Sequence, residues 1–232
     1  MERPQGKTSA EQHRDVARVE AFSDGVFAFA ITLLVLGIRI PRPGDLDASA
    51  GLQRLLVEQW PSYVAFALTF IVVGTVWANH RLAFSHFVRT DHVLVSLNLL
   101  ELMSVAFLPL PTGVLGTWVA SERNRLTAVV FYGATLVVLG IFHNLLWWYG
   151  AYRGRLTSPD LTEHGRRALA LTWMAGPVFY GVSVGLAWVD PRLSLAGFVV
   201  LGIIYLLPTP RILALAQRRR NSRQGRHGTQ GQ

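Results

Sequence analysis

Cysteine is absent from all 232 residues, so no disulfide, reactive thiolate or cysteine-ligated metal enters the architecture. The histidines do not replace it as a metal site. His80, His86 and His92 recur every six residues and cannot share one helical face. Charge is scarce too: Asp, Glu, Lys and Arg make up 16% of the chain, and 14 acids face 22 bases. The first twenty residues are polar and charged and lack an apolar core after a basic start, so no cleavable signal is expected. No internal repeat is evident, and any rotational symmetry must come from several copies of the chain.

What is present is a series of long uncharged runs: Gln59 to His80, Leu102 to Ser121, Leu126 to Tyr152, Ala168 to Val189 and Leu193 to Pro210. Most approach the roughly 20 residues a membrane-spanning helix requires. They are too long and continuous for barrel strands, and lipid demands internally paired backbone, so helices are expected throughout. With a first span near the N-terminus, the expected fold is an all-α polytopic membrane protein of six transmembrane helices. The spans fall at about 16–40, 60–82, 92–118, 125–150, 167–189 and 192–214. They form a transmembrane domain over 10–214, between a disordered cytoplasmic stretch at 1–9 and a basic cytoplasmic tail at 215–232.

The net charge of +8 would suggest nucleic acid in a soluble domain, but the distribution of bases speaks for topology and against a nucleic-acid partner. With both termini placed inside, every Lys and Arg except Arg39, Arg42, Arg54, Arg123, Arg125 and Arg192 falls on the cytoplasmic side. A multi-pass protein of a bacterial inner membrane is the simplest reading. The tail bases Arg218, Arg219, Arg220, Arg223 and Arg226 suit a topological anchor or contact with anionic lipid.

The first span is the unusual one. Between Asp24 and Arg39 only the fourteen residues Gly25 to Ile38 lack formal charge, which as a helix cover about 21 Å against a hydrocarbon core of about 30 Å. Asp24 is thereby drawn toward membrane depth, where an ionised group is costly and faces protein or water. Ser9-Ala-Glu-Gln12 fits a capping box that starts this helix in water. Gly25, Phe29, Thr32 and Leu36 follow i, i+4, i+7 and i+11 and fall within about 60° of one another, as one stripe. Such a stripe suits close approach to copies of itself around an axis; ordinary helix packing is the competing reading.

The charged end needs partners from other helices. Arg18 and Asp24 lie too far round the helix to bridge, and Glu20 and Asp24 at i and i+4 repel if both are ionised. By type and depth the candidates are Asn79, His80 and Asn98, and a network of Ser23, Asp24, His80 and Asn98 is expected to fix the first helix against its neighbours. Glu101, one turn beyond Asn98, is a second intramembrane carboxylate and a candidate proton-linked group. Pro109 and Pro111 kink or end the third span. Gly181-Val-Ser-Val-Gly185 matches both a small-residue packing motif and a nucleophile elbow. An elbow needs a strand, turn and helix, whereas this pentapeptide lies inside an apolar run, so packing is expected and no catalytic residue is assigned.

At these residues the sequence resembles the bacterial branch of the transmembrane protein 175 family, which contains the lysosomal potassium channel of animals. The signature Arg-x-x-x-Phe-Ser-Asp reads Arg18-Val-Glu-Ala-Phe22-Ser23-Asp24 here, followed by GVFAFAITLLVL. Trp77-Ala-Asn-His80, Asn98-Leu-Leu and Phe107-Leu-Pro-Leu-Pro support it. The resemblance implies a homotetramer of six-helix subunits whose first helices line a central pore for potassium, with no further cofactor. It places an apolar constriction at Phe29 and a polar layer at Thr32, with Leu36 extending the constriction and Gly25 opening the stripe. Arg18, Phe22, Ser23 and Asp24 become an inter-helix network with Trp77, His80 and Asn98 as partners. Phe29 departs from the isoleucine or leucine common there.

The chain holds no TVGYG-like carbonyl filter, so potassium preference rests on another mechanism. A Phe29 ring admitting partly dehydrated ions, with Thr32 hydroxyls offsetting part of that loss, favours less tightly hydrated cations. A passive cation channel is therefore the leading expectation. A proton-coupled transporter or proton leak through Asp24, Glu101, His80 and His143 is the alternative.

Overall fold

Thr8 opens the first helix with a reciprocal cap: the Glu11 amide points to its hydroxyl at 3.4 Å, and its own backbone N–H donates to the Glu11 carboxylate at 2.7 Å. The capping box thus stands one residue earlier than Ser9-x-x-Gln12, because only the Thr8 register places a carboxylate at the third helical position, where it also meets the helix dipole. The computed structural model describes residues 8–42 and 51–206. The stretch at 1–7, the Pro43-Gly44-Asp45 turn, the end of the sixth expected span and the basic tail lie outside the described residues.

The elements are α1 (Ser9–Leu33), extended by a 3-10 turn at Leu34–Gly37, then α2 (Leu52–Glu58), α3 (Trp60–Phe84), α4 (His92–Phe107), α5 (Pro109–Trp118), α6 (Arg125–Ala151), α7 (Glu163–Leu186) and α8 (Pro191–Leu206). Among the described residues five segments are long and apolar enough to cross a membrane: Ser9–Gly37, Trp60–Phe84, His92–Trp118, Arg125–Ala151 and Glu163–Leu186. The apolar helix at Pro191–Ile204 is shorter.

The break between α4 and α5 has a local cause. Pro109 has no N–H to donate and sits at the first position of α5, where that donor is not required. Across α3, α5 and α6, Thr69 lies 3.0 Å from both the Thr112 and the Tyr132 hydroxyls, so three buried polar groups satisfy one another inside the bundle. Where α1 ends, a Cβ added to Gly37 would come within 3.2 Å of the Gly113 Cα, so a side chain there would push these closely apposed backbones apart by a few tenths of an ångström.

α7 runs unbroken through Ser183, so the elbow geometry is absent. Among the described residues of one subunit the glycines of the expected packing motif make no close helix contact. Gly181 and Gly185 face open space, while Ser183 packs against Gly197 of α8, because the serine lies two residues off the glycine stripe and on the other side of the helix.

The larger core joins Phe27, Val72, Val105, Tyr132 and Leu136 at mid-bundle, and a smaller one gathers Val16, Phe84, Leu94, Trp147 and Trp173 at the end that holds the start of α1. At that end the loop after α3 pairs with the loop after α6. The Val88 amide donates to the Leu156 carbonyl at 2.9 Å and the Ser158 amide to the His86 carbonyl at 2.9 Å. Asp91 caps α4 through the Leu94 amide at 2.9 Å, accepts the Tyr149 hydroxyl at 2.7 Å and lies 3.3 Å from the Arg155 guanidinium.

Burial acting alone would raise the Asp91 carboxyl. The hydrogen bonds from Leu94 and Tyr149 and the Arg155 charge outweigh it and hold the group below the usual carboxylate range. A carboxyl depressed in this way stabilises the fold above its unfolded-state value, and the contribution is lost as pH falls through the folded-state value. Asp91→Ala should therefore lower the thermal midpoint in detergent at pH 7, with the lost cap alone costing about 1 kcal/mol. The gap from wild type should narrow below about pH 4. A gap that persists undiminished at low pH would separate this joint from the Asp91 charge.

Candidate functional site

α1 has two unlike faces. Val16, Ser23, Phe27 and Ala30, with Leu34 in the turn beyond, point into the bundle. Phe22, Gly25, Phe29, Thr32 and Leu36 point away from it, with Phe29 65% and Leu36 76% exposed. Gly25 has open space where a side chain would stand. The Thr32 hydroxyl donates to the Phe29 carbonyl at 2.7 Å, which spends its proton within the helix and leaves the oxygen lone pairs outward.

The inward residues tie α1 to two helices. Ser23, fully buried, donates to the Val19 carbonyl at 2.8 Å and accepts from the Asn98 amide of α4 at 3.0 Å. With its nitrogen so engaged, Asn98 offers its oxygen to His80 of α3 at 2.8 Å, which assigns the His80 proton to Nε2. His80 is stacked on Phe84 at 4.4 Å and tilted against Phe27 at 5.3 Å, so its ring is held by packing as well. Ser23, Asn98 and His80 form one connected line across α1, α4 and α3.

Asp24 is not part of that line. Successive residues point about 100° apart on a helix, so Asp24 faces α3 while Ser23 faces α4. Its carboxylate accepts the Trp77 indole N–H at 2.7 Å and is half-buried. One turn along, the Arg81 guanidinium lies 5.6 Å from the Trp77 ring centre and 3.9 Å from the Glu20 carboxylate. The expected four-residue network is thus two separate contacts, and Asn79 belongs to neither; it lines a cavity of about 600 Å³ between α3, α6 and α7. Arg18 is exposed and borders a groove with Phe22, Val95 and Asn98, and among the described residues no acid pairs with it.

Glu101 finds a partner that charge counting on its own helix cannot reveal. Its carboxylate lies 2.9 Å from His143 Nδ1 on α6, the pair is buried, and His143 meets Trp173 edge-on at 5.0 Å. The signal for it is a shared depth: Glu101 and His143 are ionisable residues within apolar helices and sit at similar distances from the same end of the bundle. Among the described residues no group of three or more His, Asp or Glu side chains is arranged to hold a metal ion.

The described residues thus form an all-helical bundle with five segments long and apolar enough to cross a membrane, and its first helix combines a hydrogen-bonded polar end with a bare apolar and hydroxyl stripe. The model of the endosomal/lysosomal potassium channel TMEM175 family matches residues 18–109, which hold the Ser23, Asp24, Trp77, His80 and Asn98 contacts. A potassium channel of Streptomyces collinus is 40% identical over 188 residues, covering 81% of this chain and 90% of that protein. The crystal structure of a lysosomal potassium-selective channel TMEM175 homolog from Chamaesiphon minutus matches with a TM-score of 0.75 at 35% identity, over 83% of this chain and 96% of that one. The endosomal/lysosomal proton channel TMEM175 of Gallus gallus is 27% identical over 182 residues, 76% of this chain but 36% of the longer animal protein. The chain belongs to the TMEM175 family, a family of ion channels.

Proposed function

We propose that four copies of this chain, each with six spans and cytoplasmic termini in a bacterial inner membrane, surround a passive potassium-permeable pore lined by α1. The observation that carries this reading is the bare face of the signature helix: Phe29 and Leu36 stay exposed in the subunit while Ser23, Phe27 and Ala30 anchor the opposite face. Four Phe29 side chains form the apolar constriction and Leu36 prolongs it. Thr32 supplies the polar layer, and since its proton is held by the Phe29 carbonyl, the lone pairs facing the axis suit a cation and repel an anion. The Ser23, Asn98 and His80 line and the Asp24 to Trp77 contact keep α1 at a fixed rotation, so that this stripe and not its neighbour faces the axis. Potassium is the ion named for the Streptomyces collinus and Chamaesiphon minutus relatives, and a partly dehydrating apolar ring favours it over the more tightly hydrated sodium.

Purified protein in proteoliposomes under opposed potassium and sodium gradients should pass current that reverses toward the potassium potential. Silence would reject this reading, and a reversal midway between the two ions would reject its preference for potassium. A second reading, a proton leak, draws on the proton channel named for the Gallus gallus relative and on the buried Glu101 and His143 pair. It requires flux driven by a pH gradient with symmetric potassium.

A further inference from the structure

Away from α1, a cleft of about 580 Å³ lies between the end of α6 and the first turns of α7. Its floor is apolar, made by Trp147, Ala151 and Ala170, and its rim carries Trp148, Tyr152, Arg166 and Arg167. We propose that this cleft binds the phosphate-bearing headgroup of an anionic phospholipid. The reading is independent of conduction and rests only on α6 and α7 crossing the membrane.

The aromatic rim sets the depth. Trp148 is 62% exposed and its ring lies 5.5 Å from that of Tyr152, at the end of a span where amphipathic rings meet the headgroup layer. The charge balance selects the headgroup. Arg167 is paired with Glu163 at 2.5 Å, but Arg166 donates to the Leu161 carbonyl at 2.7 Å, an acceptor that takes its hydrogen bond without cancelling its charge. Nearby Arg155 is already matched by Asp91. Two guanidiniums therefore face one carboxylate in the cleft, and the positive remainder sits over an apolar floor. A phosphodiester with no compensating ammonium complements it, and its acyl chains would lie against the apolar outer faces of α6 and α7; basic pockets between spans on the side rich in Lys and Arg suit such lipids.

The test uses full-length protein in nanodiscs, with phosphatidylglycerol or phosphatidylcholine carrying brominated acyl chains, and reads the tryptophan quenching that Trp148→Phe removes. Wild type should reach half-maximal quenching at a several-fold lower mole fraction of phosphatidylglycerol than of phosphatidylcholine. Arg167→Glu, at an exposed position, should abolish that preference, and the Arg218→Gln, Arg219→Gln, Arg220→Gln triple variant should keep it. Equal quenching by both lipids, a preference that survives Arg167→Glu, or one that vanishes in the tail variant would overturn the proposal. Displacement by inorganic phosphate in wild type would assign the cleft to free anions instead of lipid.

Discussion

Phe29→Ala is expected to raise potassium flux through reconstituted channels by about tenfold or more while weakening discrimination among cations. In the proposed tetramer the four rings of Phe29 form the narrowest apolar layer, and an ion crossing it loses hydration with no polar atom of the ring to replace the water. Apolar constrictions of this kind hold flux down by dewetting. Trimming the ring to a methyl group admits water, and each 1.36 kcal/mol removed from the barrier is about tenfold in rate. Folding should be unaffected because Phe29 is mostly exposed within the subunit and leaves no cavity when shortened. The measurement is therefore clean: flux and reversal potential in proteoliposomes, beside the elution volume and thermal midpoint of the same preparation. An assembled, stable variant with unaltered flux would remove Phe29 from the ion path and shift the search to another helix.

The two faces of α1 are readable from periodicity because a helix repeats every 3.6 residues whatever surrounds it. Gly25, Phe29, Thr32 and Leu36 share a side, and all four lie on the uncovered one. Partner types at the polar end are readable as well, since a buried serine and a half-buried aspartate both require hydrogen bonds and Asn98, His80 and Trp77 are available at that depth. Which partner meets which residue is not readable. That depends on the rotation of α3 and α4 about α1, and a turn of one residue exchanges His80 for Asn79, as their separate placements show. The hydroxyl cluster of Thr69, Thr112 and Tyr132 escapes notice for the same reason. Each residue is unremarkable in its own apolar run, and their meeting is a property of three helices together.

Glu101 and His143 carry the second large effect. Either Glu101→Leu or His143→Leu alone should lower stability by about 3 kcal/mol, since each strands one buried polar partner. The double replacement should restore stability to wild type or above. The pair satisfies itself only in part: among the described residues Glu101 Oε2 and His143 Nε2 meet no hydrogen-bond partner, so the pair recovers only part of its desolvation cost. A well-packed apolar pair at that point between α4 and α6 has nothing left unsatisfied, and buried ion pairs exchanged for hydrophobic residues are commonly neutral or stabilising. Thermal midpoints of the four proteins give a double-mutant cycle, with the single variants roughly 10 °C below wild type if each kcal/mol shifts the midpoint by 2–4 °C. The flux assay on the double variant then separates a joint from a pathway. Potassium current that persists with unchanged pH dependence makes the pair a staple that holds α4, and through Asn98 the proposed pore helix α1, in register. A folded double variant that has lost its potassium current places Glu101 and His143 in the path of the permeant ion, and loss of a pH-driven flux under symmetric potassium would put the proton reading in place of the passive pore.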